Sequence, residues 1–366
     1  MKIARALTKA SAYGKRHLMQ EVDYRLGKGW SKPDKVTIRL TQRCNARCLM
    51  CDFWKTKTRE EDEIPIPRWI EVIEELHNWI GTFFLSLTGG EIFLKKGAYD
   101  LLRRVVELDL SPTILSNGLS LSAEKHLNGL LESGVQSINF SIDGVDPEIH
   151  DKFRGVPGIH SAATRAVREI KRRKPEMIVT LVCIIMRETI GQLVDYVKWA
   201  EDMGVDRVLF QPIMPTFGKS KSGHYWYRTD DRFVKDQDQV RQVMAELIAL
   251  RDNGSIIANG ADEFGKFQAY FADPNIVQIH RTRCMLGQTN LNIDEFGKMD
   301  MCYMFDTKIG NVNDGPISKT WTSALARQKR KEIKQCRRPC MAACYRSFTL
   351  AEKIRLFLEY VRMGKI

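Results

Sequence analysis

Six short runs of strand-forming residues, at 35–40, 83–88, 112–116, 136–142, 178–186 and 206–211, alternate with helical patterns at about 67–80, 95–109, 121–133, 158–174 and 190–203. This alternation constrains the fold more tightly than any other feature of the chain. Strands joined by helix-length crossovers pair in parallel, with the helices covering the sheet. A further helical pattern at about 234–252 ends the series. Six units fall short of a closed eight-stranded barrel. The expected fold class is therefore α/β, a parallel sheet with crossover helices. Cys183, in the middle of the fifth run, reads as a small buried core residue.

Directly after the first run comes Cys44-Asn45-Ala46-Arg47-Cys48-Leu49-Met50-Cys51. Three thiolates spaced Cys-x3-Cys-x2-Cys can hold three irons of a cubane and leave the fourth iron open. A purely structural or electron-carrying cluster usually has four cysteine ligands, whereas an open position is built to bind something. A zinc knuckle would more often pair Cys-x2-Cys with a second Cys or His pair, and no histidine is near.

Cys-x3-Cys-x2-Cys after a first strand resembles the radical S-adenosylmethionine (SAM) family. The resemblance implies that the open iron chelates the amino and carboxylate groups of SAM. The reduced cluster would then cleave SAM to a 5′-deoxyadenosyl radical. The cofactor supplies the chemistry, and the protein supplies placement and exclusion of water. Met50 stands where the family usually has an aromatic residue, and an adaptable thioether can also pack on adenine. The resemblance also implies an open partial (β/α)6 TIM-like barrel, which fits the six units, with its functional groups at the C-terminal strand ends. Further segments carry the resemblance at strand ends. Gly89-Gly90-Glu91 follows the second run, and the glycines would allow close backbone approach to the SAM amino group. Ser116 and Asn117, then Ser141 and Asp143, match the family's contacts to the SAM carboxylate and ribose. Arg154, in His150-Asp-Lys-Phe-Arg154-Gly155, would pair with the SAM carboxylate through its guanidinium fork. Gln211 would contact adenine. No general acid or base is identified.

Five cysteines return beyond residue 254: Cys284, Cys302, Cys336, Cys340 and Cys344. The segment from Asn290 to Cys302 reads as a hairpin turning at Glu295-Phe296-Gly297. Cys284-x12-Gly297-x4-Cys302, with Gly310-Asn311-Val312 and Trp321 after it, resembles the SPASM and twitch extensions that carry auxiliary iron–sulfur clusters. The closing Cys336-x3-Cys340-x3-Cys344 departs from the full seven-cysteine SPASM pattern. One auxiliary 4Fe–4S cluster, held by four of these five thiols, is expected, and a structural zinc site from the same residues is the alternative.

The nine cysteines fit metal ligation in a reducing compartment, because neither a signal peptide nor a membrane-length apolar run is visible. The expected organisation is a basic helical segment over 1–34, the barrel over 35–253, a small cysteine-rich twitch/SPASM-like domain over 254–347 and a basic amphipathic tail helix over 348–366. Residues 1–34 carry eight Lys or Arg against three acids, and residues 328–366 carry eleven against three. The net charge of +12 therefore resides at the two ends. In the tail, Leu350, Ile354, Phe357, Leu358 and Val361 share one helical face. A cytoplasmic location follows, and the basic ends are candidates for peripheral contact with the inner face of a membrane. No nucleic-acid-binding motif is present.

The function expected from the resemblance is hydrogen abstraction from an unactivated C–H bond after reductive SAM cleavage. About 34 residues precede the first strand, which leaves no room for the peptide-recognition domain of many peptide-modifying relatives. That favours a small-molecule, sugar or lipid substrate, with flavodoxin or ferredoxin as reductant. The alternatives are a peptide-modifying radical SAM maturase and, from another class, a non-catalytic iron–sulfur or zinc protein with a basic binding surface.

Overall fold

The computed structural model describes residues 2–214, 226–274, 284–303, 306–336 and 341, with side chains from residue 14 onward. Six strands pair in parallel and in chain order: β1 (Lys35–Arg39), β2 (Phe84–Thr88), β3 (Thr113–Ser116), β4 (Ser137–Ser141), β5 (Ile178–Ile185) and β6 (Arg207–Pro212). They are the six runs expected from the sequence, and with their crossover helices they form the α/β partial barrel.

Side-chain alternation gives the sheet two different faces. On β1, Val36 and Ile38 are fully buried while Thr37 and Arg39 are half-buried, and β4 and β6 alternate in the same way. The buried face takes the helices. Helix Ile66–Ile80 shows why: Trp69, Val72, Ile73, Leu76 and Ile80 recur at helical spacing and are all buried. Pro67 fits its first turn, and Gly81, at φ +80°, ends it. The opposite face of the sheet carries Arg39, Ser141 and Gln211. Cys183 is fully buried, as a core residue should be.

The sequence pattern ends its alternation near residue 254, but the sheet does not end there. Strand β7 (Asn290–Ile293) pairs in parallel with β1, in register from Lys35 with Asn290 to Ile38 with Ile293. An unpaired edge strand exposes a row of backbone donors and acceptors, and β7 satisfies that row on β1. Its sequence, Asn-Leu-Asn-Ile, alternates like a half-exposed strand, yet all four residues are buried. Asn292 tolerates burial by donating to Asp300 at 2.8 Å. The expected hairpin is present: β7 turns into antiparallel β8 (Lys298–Asp300). Gly297 lies in the turn at φ +80°, where a Cβ would come within 2.7 Å of Ile64 and 2.8 Å of Val312. Strand β9 (Lys308–Asn311) completes the sheet in the order β6-β5-β4-β3-β2-β1-β7-β8-β9. The N-terminal segment forms helix Lys2–Leu26. The tail at 348–366, Cys340 and Cys344 lie outside the described residues.

Candidate active site and auxiliary cluster site

Cys44, Cys48 and Cys51 lie on the loop leaving the C-terminal end of β1, and that loop is fastened on three sides. Buried Glu63 accepts from Thr41 Oγ1 at 2.6 Å and Gln42 N at 2.9 Å, and pairs with buried Lys95 at 3.0 Å. From the end of β2, Gly90 N donates to Thr41 O at 2.7 Å and Glu91 N to Arg43 O at 2.9 Å. Backbones this close leave no room for side chains. A Cβ on Gly89 would lie 2.4 Å from Thr41 O, and one on Gly90 would lie 2.2 Å from Arg43 O. On the third side, Arg47 N and Leu49 N donate to Arg154 O and Phe153 O, at 2.7 and 2.9 Å, at the end of helix Pro147–Arg154.

The strand ends supply a second layer of contacts. Glu91 is fully buried and accepts from Ser116 Oγ at 3.0 Å and Asn117 N at 2.9 Å. Burial still pushes its carboxyl up to about 7. Asn117 donates to Asn45 Oδ1 at 2.8 Å and reaches Cys44 Sγ at 3.7 Å. Asp143, also fully buried, accepts from Ile184 N at 3.1 Å and pairs with Arg154 at 2.7 Å. The Arg154 guanidinium reaches Cys48 Sγ at 3.8 Å. Its Nε is buried without a protein partner, so the fork keeps a donor for a carboxylate. His150 Nδ1 accepts the Asp143 N–H at 3.0 Å, and burial drives this imidazole down to about 2, so it is neutral.

Burial pushes the Cys44 thiol up to about 11 and raises Cys51 as well, and the nearby Cys48 disfavours both thiolates further. Thiolates crowded here need a cationic partner, which the irons of a cluster provide. Among the described residues no three His, Cys, Asp or Glu side chains converge into the shell of a single ion. Apolar Met50, Leu119 and Val156 pack around Ala46, Cys48 and Ile159.

The structure thus brings Gly89, Gly90, Glu91, Ser116, Asn117, Asp143 and Arg154 together around the cysteine loop, with Met50 on the loop itself. Glu91 and Asp143 differ from expectation in their contacts. Both are fully buried and engaged by protein donors, so they brace the strand ends. Likewise the glycine pair is required by the approach of β2 to the loop itself. Ser141 and Gln211 stand on the helix-free face, three and five strands away from β1. Sequence reasoning missed Asn45, Glu63 and His150. Asn45, inside the cysteine motif, was the one with a local signal.

In the C-terminal part, Cys284 precedes helix Leu286–Thr289, Cys302 follows β8 and Cys336 follows helix Ala324–Lys334. Burial raises the Cys284 thiol, and the nearby Cys336 raises it further. Cys302 N donates to Thr307 Oγ1 at 2.8 Å. Fully buried Trp321 donates from Nε1 to Ser31 O at 2.6 Å, with the Arg330 guanidinium 4.4 Å over its ring.

The radical SAM superfamily model matches residues 38–200, and the SPASM iron–sulfur cluster-binding domain matches residues 284–345. The chain is a radical SAM superfamily protein with a SPASM domain at its C-terminal end. It is accordingly a radical SAM enzyme, with SAM, a 4Fe–4S cluster and auxiliary iron–sulfur chemistry as its cofactors. Among curated relatives, the PqqA peptide cyclase of Rhodopseudomonas palustris is 22% identical, covering 86% of this chain and 80% of the cyclase. The AdoMet-dependent heme synthase of Methanosarcina barkeri is 21% identical, covering 89% and 92%. Among solved structures, Streptococcus suis SuiB bound to precursor peptide SuiA has a TM-score of 0.65 at 16% identity, covering 85% of this chain and 69% of SuiB. The fold of anSMEcpe with AdoMet and the Cp18Cys peptide has a TM-score of 0.60 at 16% identity, covering 91% and 98%. No helix among the described residues is long and apolar enough to cross a membrane.

Proposed function

We propose that this protein is a peptide-modifying radical SAM enzyme. The observation that carries the SAM site is the loop of Cys44, Cys48 and Cys51 beside a buried Arg154 with an unused donor. In this reading the three cysteines would hold a 4Fe–4S cluster, which would supply the reducing electron for cleavage of SAM and so for hydrogen abstraction from substrate. Arg154 binds the SAM carboxylate, and Asp143 and His150 hold Arg154 and the β4 end in place. Asn117 and Asn45 fix Cys44. Glu91 and Ser116 lock the ends of β2 and β3, Gly89 and Gly90 admit the loop, Met50 walls the adenine, and Ser141 and Gln211 reach ribose and base. Four of the five thiols Cys284, Cys302, Cys336, Cys340 and Cys344 supply the ligands of one auxiliary cluster. The electron comes from a flavodoxin- or ferredoxin-like reductant.

The peptide substrate class replaces the small molecule, sugar or lipid expected from the sequence. PqqA peptide cyclases from several organisms align over more than four-fifths of this chain. The test is anaerobic: reconstitute the protein, add dithionite and SAM, and measure 5′-deoxyadenosine with peptides encoded next to its gene, deuterated at side-chain carbons. Deuterium in 5′-deoxyadenosine together with a mass change in a peptide is the expected result. SAM cleavage that no peptide stimulates, but a heme precursor does, would overturn the peptide class while keeping the SAM site.

A further inference from the structure

The second half of the N-terminal helix is packed inside out. At 100° per residue, His17, Gln20, Asp23 and Tyr24 form one stripe, and all four are buried. Arg16, Gln20 and Asp23 on this side serve protein partners. Arg16 donates to Ile80 O at 2.9 Å and Thr82 O at 2.8 Å, capping helix Ile66–Ile80. Gln20 donates to Lys32 O at 3.0 Å, and Asp23 accepts from Gly29 N at 2.6 Å and Ser31 Oγ at 2.7 Å. The opposite stripe is Lys15, Leu18, Met19, Val22, Arg25 and Leu26. Leu18 is 66% exposed, Met19 44% and Leu26 54%. The loop held by Asp23 then exposes Lys28 and, at 59%, Trp30. Helices of globular proteins normally show the reverse arrangement. An apolar stripe rimmed by charge marks an interaction surface.

We propose that this stripe and the loop after it dock on an anionic lipid surface, with the helix lying in the interfacial plane. Charge selects the occupant. Lys15, Arg25 and Lys28 are exposed on or just beyond the apolar stripe. A second copy of the chain would bring those cations face to face. The chain's own tail has the same sign, since Lys353, Arg355 and Arg362 flank its apolar residues. Anionic headgroups complement the cations, while leucine, methionine and tryptophan enter the boundary of the acyl region. The inference is independent of the substrate class proposed above.

The test is co-sedimentation of the full-length, cluster-loaded protein with phosphatidylcholine vesicles, with and without phosphatidylglycerol. Binding is expected only with phosphatidylglycerol, and high salt should release it. Each basic residue at an anionic surface contributes about fivefold to partitioning, so the triple variant Lys15→Glu, Arg25→Glu, Lys28→Glu should bind at least about 100-fold more weakly. Leu18→Gln, Met19→Gln, Leu26→Gln should also lose binding, while both triple variants keep wild-type SAM cleavage. Wild-type protein that ignores phosphatidylglycerol vesicles, or triple variants that bind as tightly as wild type, would overturn the proposal. Self-association by light scattering that the apolar triple variant abolishes would reassign the stripe to a second copy.

Discussion

Substituting Gly90 with alanine tests whether the glycine pair exists for the cysteine loop itself. The new Cβ would meet only backbone: Arg43 O at 2.2 Å, Arg43 C at 2.6 Å and Gln42 O at 2.7 Å. No flexible side chain is there to move aside, so loop and strand must separate by about 1 Å to restore ordinary contact. That separation strains Gly90 N to Thr41 O and Glu91 N to Arg43 O, each worth about 0.5–1.5 kcal/mol. Overpacking adds about 1–3 kcal/mol. The expected loss is about 2–6 kcal/mol, accompanied by reduced iron at the first cluster because the displaced segment leads directly into Cys44. The measurements are urea unfolding and the iron and sulfide content of anaerobically reconstituted protein. Gly265, inside helix Ala261–Ala272, is the control. A Cβ there meets nothing within 4 Å, so Gly265→Ala should stabilise by about 0.5–1 kcal/mol. Gly90→Ala protein with wild-type stability and iron would refute the reasoning. If it had then lost only SAM affinity, the glycine would be a cofactor contact alone.

Arg154→Met should cost about 3–5 kcal/mol, because Asp143 stays buried without its cation. Adding Asp143→Asn should recover part of that loss in thermal unfolding, and an additive double variant would count against the pair. For His150 the folded state holds the imidazole down near 2, whereas the unfolded chain protonates near 6.5. The unfolded state therefore binds more protons between those values. The stability from this group is complete above about pH 6.5 and falls as the pH drops towards the folded value, by about 2 kcal/mol between pH 6.5 and 5. Unfolding midpoints of wild type and His150→Gln across that range should converge by that amount, and parallel profiles would contradict it. Cys48→Ala should abolish 5′-deoxyadenosine formation and remove about half of the iron, and retained cleavage would displace the cluster from this loop.

The six strands were legible because a buried parallel strand is a short apolar run whatever its partners. Legible also were the cysteine spacings, which follow from cluster ligation along a single loop. What the sequence concealed was the use made of polar side chains. Glu91 and Asp143 read as ligand contacts because the segments that hold them resemble the family's strand ends. Their burial depends on Ser116, Asn117, Ile184 and Arg154, which only the folded strand order brings to them. Glu63 gave no signal at all, since its partners Thr41 and Lys95 lie 22 and 32 residues away. The place of β7 beside β1 was hidden for the same reason, although the hairpin it opens was legible. Its pairing with β1 spans most of the chain, and its buried asparagines imitate a half-exposed hairpin arm.

That pairing also fixes how the two cysteine sites are related. Because β7 lies beside β1, the turn at Asp294–Glu295 meets the end of the strand from which the Cys44 loop departs. Arg39, the last residue of β1, binds Glu295 at 2.8 Å and lies 3.7 Å from Asp294. The same guanidinium stacks 4.8 Å over the ring of Phe53, two residues past Cys51. Ile64 N reaches Glu295 O at 2.9 Å, and the neighbouring Glu63 holds Thr41 and Gln42 at the entrance of the loop. The hairpin leading to Cys302 is thus tied to both flanks of the cysteine loop. A substitution such as Arg39→Met would loosen both ties made through the guanidinium at once, leaving Glu295 buried without its cation. The converse change, Glu295→Gln in the β7–β8 turn, should likewise lower the iron content of the first cluster, because one continuous sheet carries both.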